Sequence, residues 1–95
     1  MKIDKDNKFD GFILCFAVRY ALGRVSNAPF IVSSVLEKVM GDCSDDTLIC
    51  IRRDILSYIE EARENENISY IQNMEVEIWE SLLDKLNNEI NSRGI

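Results

Sequence analysis

The chain has no histidine, and that absence removes more chemistry than any other feature of its composition. Without an imidazole there is no Ser-His or Cys-His nucleophile pair, no ordinary catalytic zinc site and no general base poised near neutral pH. Di-iron bundle sites fall with them, because they need Glu-x-x-His pairs. The three cysteines, Cys15, Cys43 and Cys50, are odd in number and form no Cys-x-x-Cys pair. Neither a disulfide framework nor a thiolate metal site is therefore signalled, and they read as small buried hydrophobes of a reducing cytosol, with no metal and no cofactor. Long apolar runs are missing too. The stretch from Gly11 to Val18 is broken by Arg19, well short of the roughly 20 residues that a membrane span needs. Asp4, Asp6 and Asp10 interrupt the N-terminal lysines in a way that does not suit a secretory signal. The expectation is a protein that stays in the cytoplasm, with no membrane partner.

What remains is 95 residues of 46% hydrophobic content, enough for one domain and not for two. A chain of this size buries roughly 60 to 65% of its unfolded surface, so its elements must pack economically. Residues 1 to 7 are polar and read as a frayed end. Phe9, Phe12, Ile13, Phe16, Ala17, Tyr20 and Ala21 then recur at helical spacing, with Leu14, Val18 and Leu22 widening the stripe. A helix this apolar all round is central in a bundle or covered by a partner subunit. Gly23 should end it, and Ser26 or Asn27 should cap a second helix, from Ala28 to about Met40, with Pro29 in its first turn.

Gly41 closes that helix, and the turn Asp42-Cys43-Ser44-Asp45 offers capping oxygens for a third carrying Leu48, Ile51, Ile55, Tyr58, Ile59 and Ala62 to about Asn65. Residues 65 to 73 read as a loop that tucks Ile68, Tyr70 and Ile71 over the core. A fourth helix from about Asn73 presents Trp79, Leu82, Leu83, Leu86 and Ile90 on one face and ends at Gly94. The pattern predicts a single all-α, four-helix domain over residues 1 to 95, with a three-helix core plus a docked arm as the variant.

Charge is unevenly shared. Residues 1 to 44 hold five acids and six bases, a balance of +1, whereas residues 45 to 95 hold twelve acids and five bases, a balance of −7. Glu60, Glu61 and Glu64 fall on adjoining turns of the third helix, and Glu77, Glu80 and Asp84 line a strip of the fourth at i, i+3 and i+7. Carboxylates one turn apart lie roughly 5 to 6 Å from each other, a spacing that can imitate successive phosphates and enter a basic channel of another protein. The plain alternative is a solvated helix face that keeps the domain soluble. No raised-pKa pocket is signalled around these acids, so paired-carboxylate catalysis is disfavoured.

Arg19 is the sole charge between Gly11 and Leu22, so packing should bury at least its stem and call for a partner. Asp54, flanked by Ile51 and Ile55, is the natural candidate for a structural pair. Alternatively Arg19 and Arg24 reach a nucleic-acid phosphate. The helix, Gly23 turn and following helix look superficially like a helix-turn-helix, but the second helix offers only Lys38 as a base, and direct DNA reading is disfavoured. Tyr20, Trp79, Tyr58, Tyr70 and Phe30 are read as core, with Trp79 a partner-facing anchor in the alternative.

The segment from Phe16 to Val35, with its Arg-Tyr-Ala-Leu-Gly-Arg stretch from Arg19 to Arg24, the Asp54-Ile55 pair and the helix bearing Trp79, resembles a set of small proteins encoded by phages and prophages of Gram-positive bacteria. That resemblance implies an inhibitor of bacterial immunity, anti-CRISPR proteins included, and brings no catalytic residue with it. The expected function is non-enzymatic. The chain would block a nucleic-acid or subunit site of a bacterial defence effector, a CRISPR effector first, through Glu60, Glu61, Glu64, Glu77, Glu80 and Asp84. The alternative is a phage structural or regulatory protein that forms a homodimer through the first helix and binds DNA with Arg19 and Arg24.

Overall fold

A computed structural model describes residues 8–24 and 26–95, with side chains from residue 13 onward. Four α-helices and one 3-10 turn make up the described residues, and no strand occurs among them: α1 (Lys8–Ala21), α2 (Ala28–Val39), the 3-10 turn (Met40–Asp42), α3 (Asp45–Glu64) and α4 (Tyr70–Ser92). The all-α four-helix expectation holds. The expectation for residues 1 to 7 lies outside the described residues.

Local chemistry sets the element ends. Gly23 takes φ 79° just past α1, and Gly94 takes φ 77° past α4, a left-handed conformation that costs other residues a Cβ clash. The oxygen that serves the start of α2 belongs to Ser26, which accepts from the Ala28 amide at 3.1 Å, while Asn27 makes no side-chain cap. Ser44 caps α3 by accepting from the Thr47 amide. Helix α4 begins at Tyr70 rather than Asn73, because Ser69 accepts from the Gln72 amide at 3.1 Å. Ser69 and Gln72 have the spacing of a capping box, and they turn the expected loop into a first helical turn. Ile68 still packs against the core, but Tyr70 and Ile71 face solvent.

The helices form a ring in which α1 packs on α2 and α3, and α4 packs on α2 and α3. Arg93 at the end of α4 meets Asp45 at the start of α3, so those two helices run antiparallel. Inside the ring, Leu14, Val18 and Ala21 of α1 meet Leu36 of α2, Ile51, Ile55 and Ile59 of α3, and Val76, Trp79 and Leu86 of α4, all buried. Helix α1 is therefore a corner of the bundle and not its centre. With only two neighbouring helices it buries one stripe and leaves Phe16 63% and Tyr20 55% exposed, which overturns the core reading of Tyr20. Of the other aromatics, Trp79 is fully buried and Tyr58 half-buried, whereas Phe30 and Tyr70 stand exposed.

Candidate interaction surfaces

Arg19 leaves α1 on the side that meets α3, and its Nε donates to Asp54 Oδ2 at 2.7 Å. The expected Arg19–Asp54 pair forms, with the Arg19 side chain 55% exposed and that of Asp54 18%. The corner position leaves the guanidinium along the outside of the α1–α3 seam. Arg24 turns to other partners. It stacks 4.2 Å above the Tyr20 ring centroid and donates from Nε to the Tyr20 carbonyl. The two arginines of the nucleic-acid alternative are thus each engaged, and with different groups.

The six acidic residues do not form one continuous strip. Glu60 and Glu64 are exposed one turn apart on α3, and Glu77 and Asp84 are exposed on α4. Glu80, between the latter two in sequence, is bound by Arg63, which donates to its Oε1 at 2.5 Å and to Asn73 Oδ1 at 2.8 Å. A cation therefore sits within the expected run of negative charge. Glu61 faces another way and lines a small cleft with Tyr58 and Gln72. Among the described residues Glu60, Glu61, Glu64, Glu77 and Asp84 form no ion pair. Glu77 also borders a groove of about 430 Å³ between α2 and α4, spanned by the Lys85–Glu37 pair at 2.8 Å.

A second groove, of about 550 Å³, runs between α1 and α2 and contains no charged side chain. Ile13, Phe16, Ala17 and Tyr20 form one wall, and Ala28, Ile31 and Val32 the other. Large apolar side chains left in a contiguous exposed patch mark binding surfaces more often than isolated ones do.

Two polar centres went unread in the sequence. The first is Glu75, a buried carboxylate. Its Oε2 accepts from the Gly23 amide at 2.7 Å and from Trp79 Nε1 at 2.8 Å, and its Oε1 accepts from the Tyr58 hydroxyl at 2.5 Å. The signal was available, since Glu75 lies one turn before Trp79 within the apolar stripe of α4. Burial, followed by the hydrogen bond to Glu75, pushes the Tyr58 hydroxyl up to about 12. The second is Arg93, whose Nη1 and Nη2 donate to the carbonyls of Cys43, Met40 and Gly41, while Nη1 also reaches Asp45. It gathers the carbonyls at and just after the 3-10 turn, that of Met40 also accepting the Cys43 amide at 3.2 Å.

The cysteines are not uniformly buried. Cys43 is, with its Sγ donating to the Val39 carbonyl at 3.4 Å, and burial pushes its thiol up to about 11. Cys15 and Cys50 are half-exposed, one turn before the paired Arg19 of α1 and Asp54 of α3. Arg19 Nη2 and Arg53 Nη2 lie 3.9 and 3.6 Å from Cys50 Sγ.

Among the described residues no group of three or more His, Cys, Asp and Glu side chains is arranged to hold a metal ion. No described helix is long and apolar enough to cross a membrane. No match to this chain is found among protein families, curated proteins or solved structures.

Proposed function

We propose that this chain is a phage-encoded binding protein, without chemistry of its own, that inhibits a bacterial defence complex in the host cytoplasm, a CRISPR effector before others. In this reading the acidic α3–α4 surface enters a basic nucleic-acid or subunit site of the effector. The observation that carries it is the set of exposed, unneutralised carboxylates Glu60, Glu64, Glu77 and Asp84 on two antiparallel neighbouring helices. Exposed charge of one sign accelerates encounter with an oppositely charged site and is screened by salt. Glu80 is demoted to a supporting residue, because Arg63 already neutralises it. The Arg-Tyr-Ala-Leu-Gly-Arg stretch adds the phage context by resemblance alone.

The test is co-purification of the tagged chain, at low salt, from bacteria with active defence systems, followed by the same experiment with Glu60, Glu64, Glu77 and Asp84 reversed to Lys. Recovery of an immune nuclease that is lost on charge reversal and weakened by salt supports the reading. Undiminished inhibition by the reversed variant sinks it.

A second reading is favoured by the uncharged α1–α2 groove: self-association of a phage structural or regulatory protein through that face. The half of the chain that contributes the groove carries a balance of +1, so two copies meeting there keep their acidic halves apart. Sedimentation of the wild type and of Ile31→Glu distinguishes the two, a dimer abolished by the substitution favouring self-association. DNA binding through Arg19 and Arg24 loses weight, because Asp54 and Tyr20 hold those guanidinium groups.

A further inference from the structure

The geometry points to Cys15 and Cys50 as a reversible dithiol–disulfide pair, oxidised by a small anionic disulfide of the glutathione disulfide type, whose closure staples α1 to α3. Three observations converge on it. Cys15 and Cys50 each lie one turn before the paired Arg19 and Asp54, and Arg19 of α1 reaches both Asp54 Oδ2 and Cys50 Sγ on α3, so the two cysteines occupy matching positions along the α1–α3 seam. Both residues are half-exposed, so a small molecule reaches them, whereas Cys43 is buried and bonded to the Val39 carbonyl. Arg19 and Arg53 direct Nη2 donors at Cys50 Sγ from 3.9 and 3.6 Å, in a protein of net charge −6.

Those guanidinium groups give Cys50 the first step. They attract the carboxylates of the incoming disulfide and face negative charge on the attacking sulfur. Asp54 occupies Arg19 Nε and leaves Nη2 for the sulfur. Cys50, its proton released to solvent, attacks one sulfur of the small disulfide. A Cys50–sulfur bond forms, the original S–S bond breaks, and the departing thiolate takes up a proton. Cys15 then gives its proton to solvent and attacks Cys50 Sγ, so that the Cys15–Cys50 bond forms and the second half leaves as a thiol. Two electrons pass from the two cysteines to the small disulfide, which ends as two thiols. Burial, together with the neighbouring Cys50 and Asp54 and against Arg19, pushes the Cys15 thiol up to about 12. Thiolates and not thiols attack disulfides, so in the reduced protein Cys15 is the poorer attacker and Cys50 takes the first adduct.

The full chain is incubated with excess glutathione disulfide in mildly alkaline buffer, quenched with acid, and read by intact mass and peptide mapping. The expected product has lost two hydrogens, carries a Cys15–Cys50 cross-link, reverts with dithiothreitol, and unfolds at higher urea than the reduced chain. Cys15→Ser should stop at one glutathione on Cys50, and Cys50→Ser should yield neither adduct nor cross-link, each variant first shown to be folded by circular dichroism. Arg53→Gln should slow adduct formation several-fold and leave the fold intact. A folded wild type that forms no intramolecular bond, a cross-link that uses Cys43, or a first adduct on Cys15 would each overturn the proposal.

Discussion

The carboxylate of Glu75 on α4 accepts the amide of Gly23, 52 residues earlier in the chain, at 2.7 Å. One buried side chain thus anchors the α1–α2 turn and, through the Tyr58 hydroxyl, ties α4 to α3, while Trp79 Nε1 holds it from one turn further along α4. Removing an acceptor from buried donors costs more than the hydrogen bonds themselves contribute, and bonds to a charged group are worth about 1.5 to 3 kcal/mol each. Glu75→Ala should therefore lower stability by about 3 kcal/mol or more in urea denaturation. Glu75→Gln keeps one acceptor but turns an amide NH2 toward a donor, so it should lose less. Equal stability of Glu75→Ala and the wild type would show that the network contributes nothing.

Gly23 is where the turn demands glycine for its backbone. Its φ of 79° is left-handed, yet a Cβ there would lie 3.6 Å from Tyr58 Cε1, an ordinary contact. The penalty of Gly23→Ala is therefore conformational and not steric, about 1 kcal/mol. A loss several times larger in thermal or urea unfolding would mean that the substitution also breaks the Glu75 bond.

Tyr58 gives the fold an alkaline limit. Its hydroxyl is held protonated up to about 12 by burial and by the bond to Glu75, against about 10 in an unfolded chain. The folded state therefore binds the proton more tightly. The resulting stability is fully present below about pH 10 and is lost as pH rises toward about 12. Urea midpoints measured across that window should fall for the wild type and fall less steeply for Tyr58→Phe. Parallel slopes for the two proteins would remove Tyr58 as the cause.

Much of the fold was legible from spacing. Leu48, Ile51, Ile55 and Ile59, and then Trp79, Leu82, Leu86 and Ile90, recur with the helical period, and all are buried. Helix α1 was the exception, because a helix apolar on every side has no phase and cannot announce which stripe its neighbours cover. That is why Tyr20 reads as core in the sequence and stands exposed in the fold. The Ser69 to Gln72 cap was readable and would have placed the start of α4. The targets of Arg93 were not, since the Cys43 and Met40 carbonyls lie 50 and 53 residues away in sequence. The acidic strip was visible as composition, but its interruption by Arg63 depends on how α3 and α4 pair.

Arg93 acts as a clamp whose geometry depends on a planar fork. It reaches three carbonyls and Asp45 with one guanidinium, and its side chain is only 16% exposed. Arg93→Lys presents a single ammonium that cannot serve these acceptors together. Both Arg93→Lys and Arg93→Met should lose about 1 to 3 kcal/mol, with hydrogen exchange accelerated at the Met40–Asp42 turn. Full rescue by Lys would reduce the contact to simple charge attraction.

The Arg19–Asp54 pair should contribute little despite its 2.7 Å separation. A buried guanidinium deprived of its partner costs roughly 3 to 5 kcal/mol, but the Arg19 side chain is 55% exposed and water can replace the carboxylate. Exposed pairs couple by about 0.2 to 1 kcal/mol. A double-mutant cycle of Arg19→Met and Asp54→Asn should therefore show nearly additive effects, with a small coupling that shrinks further in high salt. The Arg19→Met variant also withdraws one donor from Cys50 Sγ. Modification of Cys50 by glutathione disulfide should therefore slow in Arg19→Met even though the fold barely changes. A strong, salt-insensitive coupling would instead make the pair a buried structural element and place α1 more deeply in the bundle than its exposed Tyr20 and Phe16 allow.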